Sequence, residues 1–186
     1  LTFPQDLPGQ VKAPARLHHL FGSFDSVVIM HSRGNPATMR ERTDYGDDLC
    51  QTVVDELRHT VAALFPDTMT PYRKRLIFDP GLGFAKTAEQ SFALLAELGW
   101  LRRALGGRLL IGASRKSMLG AVTGLATNER LVPSAVAAAC AALHGADVVR
   151  VHDVPETIAA LKIAAALRKA QLSVSAQRHR QTEAGA

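Results

Sequence analysis

The chain has 186 residues, of which 47% are hydrophobic and 21% charged, as expected for a globular protein with one substantial core. A net charge of +5 favours anionic ligands. Only 5% of the residues are aromatic, and no basic stripe is interleaved with them, so no nucleic-acid partner is expected. No apolar run approaches the roughly 18 residues of a membrane span, and Cys50 and Cys140 form no disulfide or metal motif. We therefore expect a soluble, cytoplasmic protein without a membrane partner.

Short apolar runs alternate with segments of helical periodicity along the chain. The sequence predicts strands over residues 26–31, 75–79, 108–113 and 148–152. It predicts helices over residues 44–65, 87–105 and 131–143, a helical turn over 118–122, and a last helix from residue 153. Thr87 and Gln90 form a capping-box pattern at the start of the second helix. Four residues are expected to form the stripe of the last helix: Ile158, Leu161, Ala165 and Leu172.

These elements predict three regions, namely an irregular segment over residues 1–26, an α/β domain over 27–172 and a polar, disordered tail over 173–186. The predicted strands begin 33 to 49 residues apart. Four βα units of this length form either half of an eightfold barrel or a small open sheet, and spacing alone does not choose between them.

Polar side chains follow all four predicted strands at their downstream ends. In parallel sheets and barrels, ligands bind at the carboxyl ends of the strands. Side chains that emerge there converge even when they are far apart in sequence, so we expect six residues to face one crevice. They are Asp79, Ser114, Lys116, Ser117, Arg150 and His152.

The chemistry of this set suits an anionic or heteroaromatic ligand. Arg150 and His152 alternate with apolar residues, which predicts that both point the same way and could clamp a diphosphate. The alternative for Arg150 is a salt bridge to a carboxylate of the protein. Asp79 could cap the turn that follows it or accept hydrogen bonds from an aminopyrimidine, and Lys116 could act as its counter-ion.

Four motifs together resemble the dihydropteroate synthase family in order and spacing. They are Met30-His-Ser-Arg-Gly-Asn-Pro36, Asp79-Pro-Gly-Leu-Gly-Phe84, Gly112-Ala-Ser-Arg-Lys-Ser117 and Arg150-Val-His-Asp153. The resemblance covers about residues 27–172 and the carboxyl-terminal half of that family. It implies an α/β fold of the (β/α)8 TIM-barrel type, of which this chain supplies about four βα units.

The resemblance also implies a cytoplasmic transferase of folate biosynthesis that sulfonamides inhibit. Such an enzyme condenses (7,8-dihydropterin-6-yl)methyl diphosphate with 4-aminobenzoate to give 7,8-dihydropteroate and diphosphate. The implied catalytic residues are Lys116, Arg150 and His152. The implied substrate-binding residues are Asp79 for the aminopyrimidine edge, Met30 under the pterin, and Phe84, Ser114 and Ser117 at the aminobenzoate.

The family carries Mg²⁺ on the diphosphate, and its usual protein ligand, an asparagine on the first strand, has no counterpart in residues 1–26, so no metal ligand is assigned here. The resemblance implies a homodimer or association with a complementary amino-terminal half, and catalysis is expected to need that half. The alternatives are a non-catalytic remnant or subunit of such an enzyme, and another pterin enzyme such as a methyltetrahydrofolate methyltransferase domain.

Overall fold

The computed structural model describes residues 23–64 and 73–184. Within these residues a four-stranded parallel sheet has the order β1-β2-β3-β4. The strands are β1 (Val27–Met30), β2 (Leu76–Asp79), β3 (Arg108–Ile111) and β4 (Val148–Val149). Most of the segment predicted to be irregular, residues 1–22, lies outside the described residues.

The helices alternate with the strands. They are α1 (Leu49–Leu64), α2 (Ala88–Ala96), α3 (Leu98–Leu105), α4 (Ser117–Thr123), α5 (Leu131–His144) and α6 (Val154–Ala184). Three short 3-10 turns occur at Met39–Glu41, Arg73–Arg75 and Thr127–Glu129. None of the helices in the described ranges combines the length and apolar character that a membrane span requires.

The strand order selects the barrel over the open sheet. Each strand pairs in parallel with the next strand in sequence. Because crossovers between parallel strands are right-handed, an order that never reverses keeps all the connecting helices on one face. An open doubly wound sheet would instead contain a reversal of strand order. The chain therefore has the architecture of a partial (β/α)8 barrel.

The core lies between the sheet and this layer of helices. The strands contribute a buried row that includes Leu76, Leu109 and Ile111, each at most 1% exposed. Helix α1 buries one face at three- and four-residue steps, as its sequence predicts. The capping box at Thr87 and Gln90 is also confirmed, because each residue accepts a backbone N–H of the other.

The last helix differs from the prediction in two ways. It continues to Ala184, where a disordered tail was predicted from Ser173. Seven of residues 173–184 are Ala, Gln, Arg or Glu, which favour a helix even where the surface is polar. The predicted stripe is wrong, since Ile158 and Leu172 are 48% and 67% exposed. The buried residues are Thr157 and Ala164, which lie on another face of the helix, and α6 packs against α5.

Candidate functional site

The carboxyl ends of β2 and β4 meet through an acid and a cation. Asp79 is the last residue of β2 and only 1% exposed, and Arg150 directly follows β4. Arg150 Nη2 lies 3.4 Å from Asp79 Oδ2, and the Gly81 backbone N–H donates to Asp79 Oδ1 at 2.8 Å. Asp79 thus caps the following turn with one oxygen and pairs with Arg150 through the other, which is the structural alternative given for each residue, and their roles toward a ligand stay predictions.

Asp79 carries a desolvated carboxylate. Burial raises its pKa above the ordinary value, although the Gly81 N–H and the charges of Lys116 and Arg150 act in the opposite direction. The raised pKa means that the neighbouring donors do not fully replace the water that the carboxylate has lost. A ligand that presents further N–H groups to this carboxylate would complete its solvation.

Lys116 and Phe84 form the second pair. The Lys116 ammonium lies 4.5 Å from the centroid of the Phe84 ring and donates to the Leu82 carbonyl. Burial lowers the pKa of Lys116 to about 8, although the nearby Asp79 charge opposes the shift. Lys116 is therefore a partly desolvated cation held over an aromatic ring, at the end of β3.

Ser114 and His152 form the third pair. The His152 ring nitrogen Nδ1 lies 2.9 Å from Ser114 Oγ, and the His152 backbone N–H donates to the same oxygen at 3.2 Å. The sequence argument for His152 was strand alternation, but β4 ends at Val149, so residues 150–152 lie beyond the strand. The hydroxyl of Ser114, rather than the pleat of a strand, fixes the position of His152.

The other two predicted residues join the set indirectly. Met30 pairs in register with Asp79, so its side chain leaves the sheet beside the carboxylate. Ser117 is exposed at the first residue of α4, next to Lys116. Six of the eight predicted residues thus form three direct pairs at one rim of the sheet, and the remaining two adjoin these pairs.

Sequence reasoning missed a polar chain beneath this rim, formed by the buried His31 and Lys86 and the partly exposed Glu56. His31 is fully buried, with its ring nitrogen Nε2 2.8 Å from Glu56 Oε2 and Nδ1 2.8 Å from Lys86 Nζ. Lys86 is 8% exposed and also donates to the Phe84 carbonyl at 3.1 Å. His31 directly follows β1 just as the predicted residues follow their strands, so the same positional signal could have found it.

Burial is the largest influence on the pKa values of His31, Lys86 and Glu56. It lowers the pKa of His31 to about 4, against the effect of the hydrogen bond with Glu56, and it lowers the pKa of Lys86 to about 7. Burial would raise the pKa of Glu56, but hydrogen bonds from His31 and Arg33 outweigh it and bring the value to about 2. At neutral pH His31 is therefore a neutral imidazole beside the carboxylate of Glu56.

The described residues contain no group of three or more His, Cys, Asp and Glu side chains that could hold a metal ion. A basic cavity of about 580 Å³ lies at the opposite rim of the sheet, where β2 and β3 begin. Its lining includes Lys74, Arg102, Arg103 and Arg108. It is separate from the predicted site, whose residues all lie at the carboxyl ends of the strands.

Comparisons with known proteins agree with this architecture. Residues 7–152 match the model of the pterin binding enzyme family. Dihydropteroate synthase of Synechocystis sp. is 43% identical over 145 residues, which cover 76% of this chain and 48% of that protein. Dihydropteroate synthase of Escherichia coli is 37% identical, over 78% of this chain and 50% of the relative. The chain thus spans about half the length of the curated relatives it matches.

A solved structure gives the same result at the level of the fold. The Yersinia pestis dihydropteroate synthase in complex with a sulfonamide drug superposes with a TM-score of 0.75 at 33% identity. The superposition covers 86% of this chain and 57% of that chain.

Proposed function

Since this chain belongs to the pterin-binding enzyme family, we propose that it supplies the pterin diphosphate site of a dihydropteroate synthase. The proposed reaction transfers the (7,8-dihydropterin-6-yl)methyl group from diphosphate to the amino group of 4-aminobenzoate. The C–O bond to diphosphate breaks, the diphosphate keeps the electron pair, a C–N bond forms, and the amine loses a proton to solvent.

The observation that carries the proposal is the buried carboxylate of Asp79. A 2-aminopyrimidine edge presents adjacent N–H donors, which match the oxygens of a carboxylate. Burial at 1% exposure leaves Asp79 short of donors, so a ligand of this kind gains a charge-assisted hydrogen bond without competing water. Met30, in register with Asp79, would pack under the pterin ring.

Three cationic or ionisable side chains are proposed to act as catalytic residues at the bond that breaks. Departure of diphosphate places positive charge on the pterin methylene and negative charge on the leaving oxygens. Arg150 and His152 would stabilise the leaving group, and Lys116 would contact a pterin ring atom near the attacking amine. Fixed charges in such positions lower the barrier because they are oriented before the charge develops. The role of Arg150 is supported by the 3.4 Å distance between its Nη2 and Asp79 Oδ2, because Asp79 is the residue proposed to bind the pterin.

The second substrate is proposed to bind beside Phe84. Its ring would line the aminobenzoate pocket together with Ser117, and Ser114 would lie close by. The support is positional, because Lys116 bridges the two regions through its contact with the Phe84 ring. The same pocket would accept sulfonamides, which share the aminobenzene group of the substrate.

Magnesium belongs to this proposal as a counter-ion of the diphosphate. A divalent cation there would neutralise charge on the leaving group. In the described ranges no cluster of His, Cys, Asp and Glu fits a protein-held ion, so we assign no residue of this chain as its ligand.

We further propose that turnover needs additional βα units to close the barrel over residues 27–172. In the described residues β1 and β4 are the edge strands, and Val28 on β1 is 39% exposed. Unpaired edges of this kind are normally covered by another strand. Mixing the chain with the complementary half of a relative should produce turnover that the chain alone lacks. Turnover of both substrates by the isolated monomer would contradict this proposal.

A homodimer is the second proposed association. Helices α5 and α6 expose several large apolar side chains, and burying them favours a protein contact. They are Val132, Val136, Ile163, Leu167 and Leu172. Sedimentation equilibrium should give twice the chain mass, and Ile163→Glu should reduce it. A monomer at micromolar concentration would exclude this association.

A cytoplasmic location is also proposed, because it fits the free thiols of Cys50 and Cys140.

Isothermal titration calorimetry tests the function directly. We expect the protein to bind (7,8-dihydropterin-6-yl)methyl diphosphate at least tenfold more tightly than methyltetrahydrofolate. Asp79→Asn should remove most of that affinity. Preference for methyltetrahydrofolate would instead indicate a methyltransferase domain, and binding of neither compound would contradict the proposed site.

A further inference from the structure

The loop that carries Phe84 is held in place by two side-chain hydrogen bonds, one from Lys86 within the loop and one from Tyr45 outside it. The Phe84 carbonyl accepts a hydrogen bond from Lys86 Nζ at 3.1 Å, and the Ala85 carbonyl accepts one from the Tyr45 hydroxyl at 3.0 Å. Ala85 has a φ of +52°, in the left-handed region that residues with a Cβ rarely adopt. The two hydrogen bonds therefore stabilise a backbone conformation that the loop would rarely adopt without them.

Lys86 is oriented by a buried chain of partners. The Glu56 carboxylate can only accept, so Nε2 of the neutral His31 ring carries the proton and donates to Glu56 at 2.8 Å. Nδ1 is then an acceptor, and Lys86 Nζ donates to it at 2.8 Å. The tautomer of His31 is thus fixed by Glu56, and Lys86 has its remaining strong contact at the Phe84 carbonyl.

Arg33 connects this chain to the ring that holds Ala85. Its guanidinium donates to Glu56 through Nε at 3.0 Å and Nη2 at 2.5 Å. Its carbon Cζ lies 3.9 Å from the centroid of the Tyr45 ring. The same set of side chains therefore holds two successive carbonyls of the loop, one through Lys86 and one through Tyr45.

From this geometry we infer that Lys86 is a positioning residue for the second substrate. It fixes the backbone of Phe84 so that the phenyl ring stays beneath the Lys116 ammonium, where the aminobenzoate is proposed to bind. The inference rests on the proposed function for the identity of the substrate. Lys86 is not assigned to the substrate itself, because its Nζ is buried and engaged by His31 and Phe84.

The test compares Lys86→Met with Lys162→Met, measured on the protein form that binds pterin diphosphate. Methionine keeps the length of the side chain and removes the ammonium, and Lys162 is an exposed lysine on α6. Lys86→Met should weaken 4-aminobenzoate binding, measured with saturating pterin and diphosphate, by at least tenfold. It should change the affinity for pterin diphosphate by less than threefold. Lys162→Met should change neither.

A general loss of structure would weaken both ligands alike, so the split between the two affinities separates positioning from stability. A folded Lys86→Met protein with unchanged aminobenzoate affinity, or with both affinities reduced equally, overturns the inference.

Two further readouts do not depend on the proposed function. The Phe84 amide donates to the Gly81 carbonyl at 3.0 Å, and its hydrogen exchange should accelerate at least tenfold in Lys86→Met. In the unaltered protein, nitrogen NMR should find the His31 ring neutral with its proton on Nε2, even if Lys86→Met does not fold. A proton on Nδ1, or unchanged exchange at Phe84, overturns the inference. If no form binds either substrate, the proposed function fails while these readouts still decide the role of Lys86.

Discussion

The two ends of the candidate site differ in how they are built. At the end of β2, Asp79 is 1% exposed and its backbone carbonyl accepts the N–H of the fully buried His31. At the end of β4, the Arg150 side chain is 57% exposed and His152 is also exposed. The first end is buried and hydrogen-bonded to the backbone, whereas the second is a pair of cationic or ionisable groups at the surface.

This difference matches the two parts of the proposed substrate. A planar heterocycle is recognised by fixed hydrogen bonds, and a buried carboxylate makes each of them stronger than it would be in water. A diphosphate must leave, and exposed cations that remain solvated can release it. We therefore expect changes at the β2 end to have larger effects than equivalent changes at the β4 end.

Matched glycine substitutions should give the largest contrast. A Cβ on Gly81, at a φ of +70°, would lie 1.9 Å from the His31 carbonyl oxygen, so the backbone itself must move. Gly112 directly follows β3 and faces the Arg150 side chain of the β4 end, and the nearest atom to a Cβ there would be Arg150 Nη2, at 3.1 Å. Gly81→Ala should lower the free energy of unfolding by about 4 kcal/mol, and Gly112→Ala by less than about 1 kcal/mol. Urea unfolding measures both, and equal losses would contradict the contrast.

Substitutions of the paired charges should give the next largest effect, on ligand binding. Asp79→Asn keeps the size of the side chain and an acceptor for the Gly81 N–H, but it loses the charge that receives the ligand donors. We expect pterin diphosphate affinity to fall at least 100-fold, or about 2.7 kcal/mol, and Arg150→Gln to reduce it about tenfold. Calorimetry of the pterin without diphosphate should show the Asp79 effect and not the Arg150 effect. The reverse order would contradict the assignment of the two ends.

A smaller effect is expected on the pH dependence of the free energy of unfolding, and it comes from His31 next to the β2 end. His31 has a pKa of about 4 in the folded chain against 6.5 for an ordinary histidine. Between these values the unfolded chain binds a proton that the folded chain does not, so stability falls as the pH falls. From pH 7 to pH 5 we expect His31 to lower the free energy of unfolding by about 2 kcal/mol.

Two variants isolate this contribution. His31→Gln should remove that part of the pH dependence, and His59→Gln, at an exposed position on α1, should leave it intact. If the free energy of unfolding varies with pH in the same way for the unaltered protein and His31→Gln, His31 is not desolvated in the folded chain.

The sequence predicted most of the residues at the carboxyl ends of the strands, but it did not predict the supporting side chains of His31, Lys86 and Glu56. Asp79, Ser114, Lys116 and Arg150 could be found because they follow short apolar runs, and the parallel topology brings such positions together. Strand order, which decides between barrel and open sheet, has no local signal in the spacing of the units. It became clear only from the pairing of the strands.

Tertiary contacts explain the remaining differences. The partner of His31 is Glu56, 25 residues away on α1, and sequence periodicity does not show which polar residue of a helix turns inward. Strand β4 has two residues because the sheet contact ends with the Arg150 N–H, which donates to the Ile111 carbonyl of β3, and the His152 N–H donates to the Ser114 hydroxyl instead. The buried face of α6 contains small residues that pack against α5, among them Ala164. A prediction from the larger apolar residues of α6 therefore selected the wrong face.

The central claim is that one ligand binds across the carboxyl ends of the four strands. Amide NMR spectra of the protein, recorded as (7,8-dihydropterin-6-yl)methyl diphosphate is added, test it most directly. We expect saturable shifts at Asp79, Gly81, Gly112 and Arg150, with none at the basic cavity around Gly106 and Gly107. Shifts confined to that opposite rim, or no shifts at millimolar ligand, would contradict it.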